Sequence, residues 1–268
     1  HRWDPAQAGW QRDARFRQAM LYSINREPLA ADLQESFTPV VYYPAFLEFP
    51  VYQQAIQRGI PRYEYDLTKG QQLFAAAGWN KGPDGLLRNS AGQTVEFPCC
   101  RYPTELAANT QESLAWGDYF STAGLVVENP VVQPPIAGLA AAEQRRVQTV
   151  NWGGMKSNWA VTAAGAFQTV IKANIATADT RWVGINTAAW SNPAYDDLYA
   201  KASKTLELGP RLETQLQMLK IIMDELPVFP VYYTAIGLVA RQGVEGLGQP
   251  NPFNRSVVDD VHLWDLTS

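Results

Sequence analysis

The chain has 268 residues, with 22 Lys plus Arg against 26 Asp plus Glu, for a formal net charge of −4. Hydrophobic residues make up 46% and charged ones 18%; that is ample material for a core and, with no basic block, no electrostatic reason to bind nucleic acid. Only 2 histidines occur, His1 and His262, which excludes a multi-histidine metal centre, leaves a Ser-His-Asp triad one internal base, and points to a binder without a cofactor more than to a catalyst.

Along the chain, helical and extended patterns alternate, as in a mixed α/β domain. Asp13 is placed to cap a helix whose buried face is Phe16, Ala19, Met20, Ser23 and Ile24, at helical spacing. Asn25 then breaks or caps, and Pro28 suits the first turn of a second helix with Leu29 and Leu33. The stretch from Phe37 to Tyr63 holds Pro39, Pro44, Pro50 and Pro61 among aromatics that include the Tyr42–Tyr43 pair. It reads as an ordered surface excursion. Asp66 caps a helix through Phe74 that stops at Gly78, and turn signals at Gly82–Gly85 and Ser90–Gly92 bracket a short strand at Leu86–Leu87.

Thr94–Cys99 is expected as a strand, about Glu105–Thr122 as a helix, and Leu125–Glu128 as a strand. Pro134 and Pro135 open a helix to about Arg146, and the alternation in Val147–Trp152 predicts a strand. Helices follow at Thr162–Ile175, from Asn192-Pro193, and through Leu212, Leu216, Leu219, Ile222, Met223 and Leu226. Pro227–Tyr233 and Ile236–Ala240 read as strands. No run approaches the roughly 20 apolar residues of a membrane span.

Catalytic motifs are missing: there is no phosphate-cradling glycine loop and no G-x-S-x-G elbow. Asp259-Asp260 with His262 reads as an acidic turn, and Asp196-Asp197 as charges suited to a helix N-terminus. Adjacent Cys99 and Cys100 cannot close an ordinary disulfide loop and read as thiols. Asn254-Arg255-Ser256 matches the short glycosylation sequon. The most informative stretch is Asn151-Trp152-Gly153-Gly154-Met155-Lys156-Ser157-Asn158-Trp159. A strand exit of this make-up can set indole faces and hydrogen-bond donors at the open end of a sheet, where ligands sit; the competing reading is core or rim packing around a glycine turn. Candidate ligand-binding residues are Trp152, Gly153, Lys156, Asn158 and Trp159, with Asn186, Trp190, Tyr43, Trp182 and Tyr42 as further, weaker ones.

Several segments, in order, then resemble one family. Phe16–Arg26 (FRQAMLYSINR), Tyr65–Trp79 with its Leu-Phe-Ala-Ala-Ala-Gly-Trp end, the turn-rich Asn80–Val95, Ser191–Leu198 (SNPAYDDL) and Glu225–Tyr233 (ELPVFPVYY) are similar to the second lobe of the family 5 extracellular solute-binding proteins, the peptide/nickel-type receptors of ABC importers. The resemblance covers most of residues 14–240. It implies an α/β fold, a periplasmic-binding-protein-like lobe (type II, cluster C) with a mixed sheet flanked by helices. It also implies a division into residues 1–12 as a crossover segment from a missing first lobe, 13–240 as lobe two, and 241–268 as a return segment.

On this resemblance the protein is not an enzyme. Its partners are a small-molecule solute, the missing N-terminal lobe and a membrane ABC permease, and its place is periplasmic or extracellular with a membrane anchor in the full-length form. Peptide-binding members typically set an Asp after the Gly-Trp of this strand exit, to pair the peptide's terminal ammonium. Residues 153–158 here hold no carboxylate, which disfavours free peptides and suits an oligosaccharide or an anionic solute. Two other classes compete: a carboxylate-dependent hydrolase or transferase using Asp84, Glu105 or Asp118, and an interaction module displaying the aromatics of 37–63.

Overall fold

The computed structural model describes residues 9–96, 107–127, 137–150, 167–234, 240–246 and 264–266. Helix α1 (Ala14–Tyr22) starts where expected: the Asp13 carboxylate accepts from the Arg15 backbone N–H at 2.9 Å. Its apolar face is fully enclosed, with Phe16, Ala19, Met20 and Leu21 all at 0% exposure. A 3-10 turn at Gly9–Arg12 precedes it and lays Trp10 on Phe16, ring centroids 5.0 Å apart. Helix α2 (Arg26–Gln34) follows, and α3 (Pro50–Gln57) begins on a proline, which suits the first helical position. Helix α4 (Leu67–Ala76) is capped by Asp66, which accepts from Lys69 N–H at 2.9 Å. It crosses α1 closely because Gly70 has no side chain: a Cβ there would stand 3.0 Å from Ser23 Oγ and 3.1 Å from Ala19 O.

The expected hairpin is present, β1 (Asn80–Lys81) pairing antiparallel with β2 (Leu87–Arg88) around Gly85 at φ +81°. Arg88 also bridges Thr94, and Glu96 bridges Val126 in parallel. Helix α5 (Ala107–Ala123) and α6 (Ala141–Val150) come next. Helix α7 (Pro193–Lys204) is capped by Asn192, whose Oδ1 accepts from Tyr195 N–H at 3.2 Å. Helix α8 (Leu208–Glu225) packs on α3 and α7 through Leu216, Leu219 and Ile222. Near the end, β3 (Val244–Glu245) pairs antiparallel with β4 (Asp265–Leu266). Cys99, Cys100, the sequon at Asn254 and the Asp259–His262 turn lie outside the described residues, as does Ile236–Ala240 except for its last residue.

Three expectations are corrected. Residues 147–150 continue α6 instead of opening a strand; the preceding Ala-Ala-Glu-Gln-Arg-Arg run favours helix, and the Glu143–Arg146 ion pair at i, i+3 supports it. Pro227–Tyr233 is not a ladder: only Tyr232 bridges Val40, with Val41 N–H donating to Val231 O at 3.0 Å, since Pro227 and Pro230 lack N–H donors. The 37–63 stretch is ordered but not a surface excursion. It sinks Tyr43, Phe49, Val51, Tyr52, Ala55, Ile60 and Tyr63 into the core.

Core tyrosines set the alkaline limit of this fold. Tyr63 donates to Met223 O at 2.7 Å, Tyr195 to Phe167 O at 2.8 Å and Tyr233 to Ala45 O at 2.7 Å. Burial pushes these three phenols, and that of Tyr232, far above their ordinary range. In the unfolded chain they ionise near pH 10. Above that pH the native state holds more protons than the unfolded one, so stability falls as pH rises. Arg17 and Arg26, held down to about 10 by loss of hydration, act in the opposite sense but are two against four. Denaturant unfolding at stepped pH is expected to show constant stability to about pH 9, then a loss of up to about 1.4 kcal/mol per pH unit for each tyrosine in excess. Phenolate absorbance that titrates fully before unfolding would contradict this.

Candidate functional site

The segment expected to carry the site, with Trp152, Gly153, Lys156, Asn158 and Trp159, lies outside the described residues. Its two flanks are described. Helix α6 leads into it and is anchored by Val147 and Thr149, both buried; the chain after it is fixed in the core by Phe167 and Val170. From α6, Arg145 Nε donates to Arg181 O at 3.0 Å, which ties the helix to the loop of residues 177–190.

That loop is tightly determined. Thr177 and Thr180 close its start through Thr177 N–H to Thr180 Oγ1 (3.0 Å), and Trp182 N–H returns to Thr177 O (2.7 Å). Gly184 is required by a close approach, because a Cβ there would meet Asn174 O at 2.5 Å and Ala176 N at 2.8 Å. Arg181 (φ +50°), Trp182 (φ +61°) and Ala189 (φ +53°) all take left-handed backbone. Non-glycine residues enter that region at a cost of order 1–3 kcal/mol each, and such strain gathers at functional loops. The loop holds Trp182 half-buried and displays Val183 at 60% and Ile185 at 49% exposure. A half-buried indole with two exposed aliphatic neighbours is a surface suited to packing on rings or apolar chain.

Three of the sequence candidates are buried, Asn186 and Trp190 at the end of this loop and Tyr43 elsewhere in the core. Asn186 is 1% exposed, and its amide donates to Val170 O (2.9 Å), Ile171 O (3.0 Å) and Trp190 O (2.9 Å). Trp190, also 1% exposed, donates from Nε1 to Glu225 Oε2 at 2.6 Å. Tyr43 gives its hydroxyl to Ile60 O at 2.7 Å and packs edge-on against Tyr52. Their aromatic or amide character serves internal packing and hydrogen bonding in this structure. Val183 and Ile185 carried no signal in the sequence: an aliphatic residue in a loop has no periodicity to reveal its exposure.

The carboxylates of the enzymatic alternative are not gathered. Asp84 is bound to Arg88 at 2.6 Å, a bond that holds its carboxyl below the usual range; Asp118 is exposed on α5, and Glu105 lies outside the described residues. Among the described residues no group of three His, Cys, Asp or Glu could hold a metal ion, and no helix is long and apolar enough to cross a membrane.

The fold agrees with one class of protein. The chain is similar to the oligopeptide-binding protein of Thermus thermophilus complexed with a pentapeptide, at 27% identity and a TM-score of 0.67 over 88% of this chain and 40% of that one. It is also similar in fold to the mannohexaose-bound periplasmic oligopeptide-binding protein of Thermotoga maritima, at 16% identity and a TM-score of 0.68 over 82% and 41%. A probable ABC transporter-binding protein of Deinococcus radiodurans is 34% identical over 86 residues, which is 32% of this chain and 14% of that relative. The architecture is therefore that of the periplasmic solute-binding proteins. The model of the bacterial extracellular solute-binding proteins, family 5 Middle, matches residues 6–120. The chain spans less than half the length of these relatives.

Proposed function

We propose that this chain is the ligand-holding second lobe of an ABC-importer receptor, acting outside the cytoplasm. Residues 13–240 form one wall of a cleft, 1–12 and 241–268 connect to a first lobe, and closure of the two lobes by a hinge delivers the solute to a membrane permease. The observation that carries this reading is the fold likeness over 88% of the chain to a solute receptor of which it covers 40%, together with the family match at residues 6–120.

The ligand class follows from residues 153–158. A free peptide brings an ammonium that needs a carboxylate in the closed cleft, and leaving it unpaired costs several kcal/mol. This stretch offers Lys156 instead, with Gly153 and Asn158 for hydrogen bonding and Trp152 and Trp159 for stacking. An oligosaccharide or an anionic solute fits that set, and the similar folds complexed with a pentapeptide and with mannohexaose support more than one ligand chemistry in this architecture. Calorimetric titration of the full-length receptor with linear oligosaccharides, small carboxylates and unmodified dipeptides tests it. Binding of one of the first two classes, weakened about ten-fold or more by Lys156→Ala or Trp159→Ala, is expected. Tight binding of unmodified dipeptides overturns the ligand assignment.

A further inference from the structure

The turn between α7 and α8 has a composition that neither helix needs. Leu206 and Leu208 are 85% and 75% exposed. The backbone is extended at Thr205 (φ −87°, ψ 114°) and at Glu207 (φ −66°, ψ 127°), on either side of Leu206. The core face of α8 begins only later, with Leu212, Thr214 and Leu216. Both leucines therefore project from the body at a tip whose neighbours, Lys204, Gly209 and Pro210, are exposed as well.

Across residues 201–211 the three cations Lys201, Lys204 and Arg211 outnumber the one anion, Glu207, although the chain as a whole carries −4. Lys201 and Lys204, exposed in the last turn of α7, flank the tip on one side, and Arg211 flanks it on the other. Arg211 stands in the N-terminal part of α8, where the helix dipole disfavours a cation. That helix has no acidic residue in its first turn, and Glu207 makes no capping hydrogen bond there. Lys201 and Lys204 are explained by the dipole of α7, but Arg211 and the two leucines are not explained by the fold.

We infer that this turn is a membrane-contact tip that sets Leu206 and Leu208 into the surface of an anionic phospholipid bilayer, with Lys201, Lys204 and Arg211 against the headgroups. Two leucines exposed this far, two residues apart, suit insertion into a deformable apolar layer. A cationic rim around an aliphatic point is the composition that favours anionic interfaces. Each cation near such a surface strengthens binding about five-fold, and salt screens the effect. This goes beyond solute binding: it would hold the receptor close to the plane of its permease independently of the ligand.

Sedimentation of the full-length protein with phosphatidylcholine vesicles, with and without phosphatidylglycerol, tests the inference. Binding only to vesicles containing phosphatidylglycerol is expected, lost at high salt and weakened about ten-fold or more in a Leu206→Asp/Leu208→Asp variant. A Lys201→Gln/Lys204→Gln variant should weaken it as well. All four positions are exposed, and circular dichroism of the variants checks that they fold. Absence of vesicle binding, equal binding to both vesicle types, or unaltered binding by the leucine variant would each overturn the inference. The second of these outcomes would indicate general adhesion, and the first, combined with permease binding that depends on the leucines, would make the tip a protein contact.

Discussion

Replacing Arg26 with Met should destabilise the protein by about 3 kcal/mol, lowering the thermal midpoint by roughly 6–12 °C. Arg26 is 2% exposed and stands where three separate segments meet. Its Nη1 donates to Val41 O and Pro230 O, both at 2.9 Å, and its Nη2 donates to Tyr63 O. The guanidinium also lies over the Tyr42 ring, 4.9 Å from the centroid. Two opposing terms decide the sign. Burying the cation is costly, as the fall of its pKa to about 10 through lost hydration shows. Against that, a thioether leaves three enclosed carbonyls without donors, at about 1–3 kcal/mol each, and unlinks three loops. Lysine should rescue little, because a compact ammonium cannot reach three carbonyls held in the plane of a fork. A Met variant that melts with the wild type would show that the backbone bridges of 38–41 with 231–233 suffice.

The same residue shows how far the sequence could be read. Caps and turns were legible because their chemistry is local: Asp13, Asp66 and Asn192 each bond an amide two or three residues ahead. The hairpin at Gly85 is equally local. Arg26 could be quoted as part of a family-like motif, but its work joins residues 15, 37 and 204 positions away, and no periodicity encodes that. The burial of Tyr43 and Tyr52 in a proline-rich stretch is also a tertiary outcome, since α3 must lie against α8 to enclose them. Val147–Val150 misled for the converse reason. Beta-branched residues alternate there, yet a helix already propagating from Ala141 extends at little cost, while a new strand needs a partner edge. At the candidate site, residue types pointed to indoles and amides but not to their direction. Asn186 and Trp190 turned inward to bond backbone and Glu225, while Trp182 stayed at the surface.

Removing the Glu225 carboxylate should uncouple the candidate wall from the core. Oε2 accepts from Trp190 Nε1 at 2.6 Å, and Oε1 accepts from Asn192 Nδ2 at 2.7 Å, so one side chain holds the end of the 177–190 loop and the cap of α7 together. Its backbone carbonyl accepts from Arg17 Nε at 2.7 Å, and Gln18 Nε2 donates to the neighbouring Asp224 O at 2.9 Å. Both satisfy the exposed carbonyls at the C-terminus of α8, where donors are favoured. Glu225→Ala leaves the buried indole N–H of Trp190 without its acceptor and removes the anion nearest the Arg17 guanidinium. Charged hydrogen bonds of this kind are worth about 1.5–3 kcal/mol, so a loss of about 3–4 kcal/mol is expected. Glu225→Gln keeps one acceptor and should lose about half as much. Hydrogen exchange separates the two effects of the alanine variant. Amides of 186–196 should exchange faster relative to those of α1, because the loop and the α7 cap lose their common anchor before the core opens. Uniform acceleration across both regions would show that Glu225 supports only global stability. In that case the strained backbone at Arg181, Trp182 and Ala189 would be held by Asn186 and the close approach of Gly184 alone.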